Sequence, residues 1–208
     1  VGHRLQGIGD LDRVIAAARA MSVDGGQDTG AAASKKTGYV EQDIVDYSGY
    51  YKSNGRISVT YFEWAASTDQ KLIIPWRVID GPESADAVAA EILKAPIRRA
   101  SRTSISGAIQ FAMPLFEANP HRGLRRVIDI SGDGSNNRGR DVREARDEAV
   151  REGVIINGLP IVALEYDLDK YYTDNVIGGP GSFIVPADSY DNFALAIARK
   201  LVLEIASN

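Results

Sequence analysis

The stretch VIDISGDGSNNRG, Val127 to Gly139, brings Asp129, Ser131 and Asp133 together within a few residues. A short apolar run rich in β-branched residues ends at Ser131 and gives way to Gly, Asp and Asn, the pattern of a strand running into a loop. As a plain turn, the loop would use Gly132 and Gly134 for positive φ and its Asp and Asn side chains to cap backbone donors. Three kinds of chemistry are the alternatives. A dinucleotide site needs Gly-x-Gly-x-x-Gly, and Asn137 stands where the third glycine belongs. A helix-loop-helix calcium loop starting at Asp129 should close on Glu, and Arg140 stands there. The third is a divalent cation held by hard oxygens from several loops. Mg²⁺ asks for only one or two carboxylates and keeps waters, so a lone aspartate with hydroxyls suits it. A second hydroxyl-rich segment, Ser101 to Gly107 (SRTSISG), opens a helical pattern. Its oxygens would either join such a site or cap the helix through Ser101 or Thr103.

Other chemistry has little to draw on. The chain has no cysteine and two histidines, His3 and His121. Disulfides, thiolate zinc sites and cysteine nucleophiles are excluded, and a Ser-His-Asp triad is poorly supplied. His121, in Asn119-Pro-His-Arg-Gly123, reads as a surface loop residue. Tyr166, Tyr171 and Tyr172 read as half-buried packing residues beside a glycine-rich connection, Gly178 to Gly181.

The elements that must position these residues begin clearly at Arg56. Arg56–Trp64 and Lys71–Ile79 read as strands, the second an edge strand because of Pro75. Ser84–Ala95 has helical spacing. Thr103–Ala118 repeats it, with Pro114 predicting a kink or an early end. The strand before Asp133 follows, then a helix over Asp141–Glu152 that stops at Gly153. Val154–Val162 is a further strand, Asp167–Asp174 a short helix and Ser182–Pro186 a last strand. Asp188 and Ser189 cap a final helix, Tyr190–Ile205, with Phe193, Ile197, Leu201 and Ile205 on one face. Nearer the amino terminus, Asp10–Ala20 reads as helix, Gly25–Gly38 as a loop and Val40–Tyr51 as weakly helical. Strands alternating with helices predict an α/β fold: a three-layer α-β-α sandwich around a central, mostly parallel sheet. Such sheets bind ligands at the carboxyl ends of their strands, where Asp133 lies.

With 208 residues, 44% of them hydrophobic and 25% charged, the chain reads as one soluble domain over 1–208. A net charge of -4 and the absence of a long basic run argue against nucleic acid. No apolar run reaches the length of a membrane span.

VTYFEW (59–64), IPWRVID (74–80), RTSISGAI (102–109), RRVIDISGDGSNNRG (125–139), INGLPI (156–161), YYTDNVIGGPGSFIVPAD (171–188) and ARKLVLEI (198–205) carry a resemblance. The chain resembles a von Willebrand factor type A domain, and most closely the bacterial family called domain of unknown function 1194. The likeness spans Arg56 to Ile205 and leaves 1–55 poorly matched. It implies a Rossmann-like sandwich and an exported, periplasmic or extracellular module that binds another protein at the top of its sheet. It further implies a metal-ion-dependent adhesion site, in which an acidic side chain of the partner completes the coordination of Mg²⁺. Thr103 then corresponds to the second-loop threonine and Asp133 to the third-loop aspartate, with Asp129 and Ser131 in structural support. The first loop departs from the family pattern. No Asp-x-Ser-x-Ser occurs near the amino terminus, and an ungapped match sets Ala18 at the aspartate, Ala20 at the first serine and Ser22 at the second. Ser22, Thr103 and Asp133 are therefore the candidate ligands. The alternatives are a hydrolase or nucleotide-binding enzyme using the Asp133 loop, and a structural subunit with a dead metal site.

Overall fold

The computed structural model describes residues 37–43, 56–96, 102–123, 125–190 and 192–206. The helix expected over Asp10–Ala20, Ser22, and most of the Gly25–Gly38 loop lie outside them. Five strands, β1 (Thr37–Asp43), β2 (Ile57–Trp64), β3 (Gln70–Ile79), β4 (Arg126–Gly132) and β5 (Val154–Pro160), form one sheet in the order β3-β2-β1-β4-β5. The sheet is mixed rather than mostly parallel. β1 runs antiparallel to both neighbours, with Thr37 opposite Glu63 on one side and Ser131 on the other. β2 and β3 are also antiparallel, and only β4 and β5 are a parallel pair. The physical reason lies in the connections. Antiparallel strands can follow one another through short turns, as β2 and β3 do, whereas parallel ones need a crossover, which the helix Val142–Arg151 provides between β4 and β5. The expected helix-for-strand alternation holds only from residue 80 onward. β1 stands at Gly38, the end of the expected loop, and at Val40–Asp43, the start of the expected weak helix Val40–Tyr51, whose remainder lies outside the described residues.

Pro75 lies on the edge strand as expected. It sits where the β2–β3 register shifts, and Thr60 there donates its hydroxyl to the Ile74 carbonyl at 2.6 Å. Ser182–Pro186 forms no full strand but continues the sheet through isolated parallel bridges, Gly158 to Ile184 and Ile161 to Ala187.

Helices cover both faces. On one, α2 (Ile105–Glu117) and α3 (Val142–Arg151) pack Ile105, Ile109, Phe116 and Ala145 against Phe62, Trp64, Ile128 and Ile156. The residues between these along each strand point the other way, as the pleat requires. There Tyr61 and Ile74 meet Ile92 of α1 (Pro82–Lys94), and Leu159 meets Ile197 and Leu201 of α5 (Phe193–Ala206). All eight residues of β2 are buried, Ser58, Thr60 and Glu63 among them.

α2 is capped by Ser104, not by Ser101 or Thr103: its hydroxyl accepts from Gly107 N at 3.1 Å. Pro114 does not end α2, which continues to Glu117. The carbonyl left without its donor belongs to Gln110, an exposed residue within reach of water. α3 starts on Asp141 and ends where Gly153, at φ +78, turns the chain. α4 (Leu168–Tyr171) runs directly into a π-helical turn, Tyr172–Val176. α5 begins three residues later than expected, because Ser189 and Tyr190 close turns onto Asn192 and Phe193 before the helix starts.

Candidate functional site

The carboxyl ends of β4 and β5 and the amino end of α2 meet at one rim of the sheet. β4 delivers Gly132, whose carbonyl accepts from Ile161 N at 2.8 Å and so ties the two loop bases together. The following loop is held by its asparagines. Asn137 accepts the Thr103 amide at 3.1 Å, while Asn137 N and Arg138 N both donate to the Thr103 carbonyl. Asn136 accepts the Ser106 amide at 3.1 Å and donates from its side chain to the Arg140 carbonyl at 3.1 Å. These contacts dock the loop on the first turn of α2, and they fix Thr103, which is 4% exposed, next to Gly134.

Gly134 is the meeting point. A methyl group there would stand 3.5 Å from Thr103 Oγ1 and 3.7 Å from Glu165 Oε2, so a hydroxyl and a carboxylate flank the same residue. Glu165 reaches in from the loop after β5 and accepts the Ser135 amide at 2.9 Å. Asp133, half-buried, accepts a hydrogen bond from the Tyr190 hydroxyl at 2.7 Å. Burial first, and then that bond to the carboxylate, hold the Tyr190 hydroxyl protonated well above the ordinary tyrosine range. Beneath the loop lies Tyr172, fully buried, and a Cβ on Gly132 would stand 2.8 Å from its hydroxyl. Only glycine fits there. Burial pushes the Tyr172 hydroxyl up strongly, reinforced by the nearby charge of Asp133.

Of the residues singled out from the sequence, Thr103 and Asp133 fall at this rim. Ser22 lies outside the described residues. Ser131 is buried at the end of β4, 5% exposed. Asp129 faces the opposite side from its Ile neighbours, 3% exposed, and its carboxylate pairs with Lys200 of α5. Glu165, Asn136, Asn137 and Tyr190 were not singled out. Glu165 had a usable signal, its place just past the end of β5; Tyr190 had none, because only the packing of α5 brings it near Asp133. The tyrosine cluster divides: Tyr171 is half-buried and Tyr172 is fully buried. Tyr166 is not half-buried at all but 92% exposed, beside Leu164 at 72%. The two project outward on either side of the inward-turned Glu165. His121 is half-buried, its amide donating to the Asn119 side chain at 2.9 Å.

The donors at the rim are all oxygens, which select hard cations over zinc. Among the described residues no three acidic, histidine or cysteine side chains cluster as a metal site.

Residues 10–208 match the family model described as Protein of unknown function (DUF1194), a match that starts well before Arg56. No curated protein matches the chain. Among solved structures, proximal thread matrix protein 1 (PTMP1) from the mussel byssus is similar at a TM-score of 0.50 and 17% identity. The match covers 72% of this chain and 36% of that one, and the likeness is one of fold. No helix among the described residues is long and apolar enough to cross a membrane.

Proposed function

The chain belongs to this family of proteins of unknown function, and we propose that it is an exported, periplasmic or extracellular, protein-binding module of the von Willebrand factor type A kind. In this reading, the rim of Thr103, Asp133 and Glu165 is the binding face. The observation that carries it is the pair Leu164 and Tyr166, 72% and 92% exposed on a loop pinned by Glu165 and by Leu168 N, which donates to the Glu165 carbonyl at 3.3 Å. Large apolar side chains held in water beside fixed polar groups are the usual anchors of a protein contact, and Tyr is enriched among them. Thr103 and Asp133 would hold Mg²⁺, with Ser22 as a further hydroxyl. The ion would supply an open position for an acidic side chain of the partner.

Two measurements test the proposal separately. Thermal unfolding is followed in Mg²⁺, Mn²⁺ and Zn²⁺ for the wild type and Asp133→Ala. Stabilisation by Mg²⁺ or Mn²⁺ that is lost in the variant is expected, and stabilisation by Zn²⁺ alone would overturn the metal assignment. Immobilised wild type and a Leu164→Ser/Tyr166→Ser variant are then compared for proteins retained from the source organism's envelope fraction. Equal retention by both would remove the rim from the binding face.

A further inference from the structure

On the opposite face of the sheet, three ionisable side chains are sealed together. Asp129, Lys200 and Glu204 are 3%, 2% and 1% exposed. The Lys200 ammonium pairs directly with Asp129 Oδ1 and lies 3.2 Å from Glu204 Oε2. The other Glu204 oxygen accepts from Asn157 Nδ2 at 2.9 Å, and Asn157 Oδ1 in turn accepts the Phe183 amide at 3.0 Å. The Phe183 ring centroid lies 5.2 Å from Lys200 Nζ, and Ile197 and Leu201 on the same helix pack into an apolar cluster with Leu159 and Val185. Arg125, just before β4, donates from its guanidinium to the Glu204 carbonyl at 2.8 Å. One amine, one carboxyl in contact with it and a second carboxylate touching the amine are thus held in a dry pocket. Nothing at the proposed binding face uses them.

We propose that Lys200 and Asp129 join through an amide bond between Nζ and Cγ, formed by the protein itself with Glu204 carrying the proton. Desolvation favours the neutral forms of an amine and a carboxyl group over the ion pair. Glu204 takes one proton from the ammonium, and the Nζ lone pair attacks the Asp129 carboxyl carbon. A second nitrogen proton and the proton returned by Glu204 then leave with one carboxyl oxygen as water. The ammonium's three hydrogens are fully assigned: one stays on the amide and two depart in the water. No oxidant or reductant is needed, and the buried ion pair is replaced by a neutral group. Groups held in contact by a fold react with effective molarities on the order of 10⁵–10⁸ M when well oriented, and the dry pocket opposes return of the water. The bond would staple α5 to β4, four residues before Asp133.

Intact-mass measurement of the denatured 208-residue chain decides it. The expected mass is one water below that of the sequence, and a tryptic map should contain Val127–Arg138 joined to the peptide beginning at Lys200. Lys200→Arg should restore the full mass. Glu204→Gln should restore most of it, and Glu204→Asp, which keeps an acid, should cross-link more than Glu204→Gln. A full-mass wild type with tryptic cleavage after Lys200 would overturn the bond. So would a missing water that maps to a cyclised Asp133-Gly134 instead. Cross-linking of Glu204→Gln to the wild-type extent would overturn the role of Glu204.

Discussion

Asp129→Ala and Asp133→Ala remove the same functional group four residues apart, yet their costs should differ several-fold. Without Asp129, the Lys200 ammonium, 2% exposed, keeps Glu204 at 3.2 Å but loses its direct counter-ion. Breaking a buried ion pair from one side costs about 3–5 kcal/mol, because the stranded charge remains. Against a typical domain stability of roughly 5–15 kcal/mol this is severe. With a urea slope near 2 kcal/mol per molar, the midpoint should fall by about 2 M. Asp133→Ala breaks the charge-assisted hydrogen bond from Tyr190 at 2.7 Å, between two half-buried side chains. Water can replace part of it, so the loss should be about 1.5 kcal/mol and the midpoint shift under about 1 M. Equilibrium urea unfolding followed by tryptophan fluorescence measures both, since Trp64 and Trp76 are buried or half-buried near the sheet. The double variant Asp129→Ala/Lys200→Met should recover part of the loss, because removing both charges leaves no stranded ammonium. A cross-link between these residues would add to the Asp129 cost and leave the order intact. The reverse order, Asp133→Ala the more damaging, would refute the assignment of the buried carboxylate to the fold and the rim carboxylate to binding.

Two further substitutions probe how the binding face is held. Gly139→Ala places a methyl at φ +82, 2.7 Å from Ser104 Oγ and 2.8 Å from Ser106 Oγ, the first engaged by Gly107 N and the second by Asn136. Left-handed strain and overpacking together should cost about 2–4 kcal/mol in urea unfolding, and a change within about 0.5 kcal/mol would show that the loop simply shifts. Asp141 caps α3, and its carboxyl is lowered from the ordinary 3.8 to about 2, first by the Arg143 side chain and then by the Arg143 amide. A depressed folded-state value means stabilisation present above about pH 4 and lost as the pH falls through about 2. Asp141→Ala should therefore melt below the wild type at neutral pH, with the gap closing between pH 4 and 2. A gap that stays constant would assign the effect to helix propensity.

Sheet direction was not legible in the residues, although most strands were. β2, β4 and β5 announce themselves by β-branched runs, and Pro75 marks the edge. Direction depends on connections, and the alternation that implies parallel strands starts only after β3. β1 was missed because TGYVEQD holds just two apolar residues, Tyr39 and Val40, adjacent in sequence, and so shows no apolar alternation. The site was legible only where backbone and chemistry coincide. Thr103 opens a helix and Asp133 ends a strand, so both lie where strand ends meet helix starts. Glu165 also lies just past a strand end, but its neighbours Leu164 and Tyr166 share that place, so the position alone did not pick out the one side chain of the three that turns inward.

The buried triad is the instructive case, because half of it could be read and half could not. An aspartate between Ile128 and Ile130, in a strand covered on both faces, must turn toward whatever helix packs on the other side. It therefore demands a cation there. The final helix offers two, Arg199 and Lys200, and the period of 3.6 chooses between them. Ile197, Leu201 and Glu204 share a face with Lys200, whereas Arg199 falls on the solvent side, exposed. An isolated lysine in an apolar helix is ordinarily read as a solvated residue, and in α5 that would be wrong. The correct partner follows only when the strand and the helix are read against each other: a charge that cannot reach water in one element predicts the sign and the register position of a charge in the other.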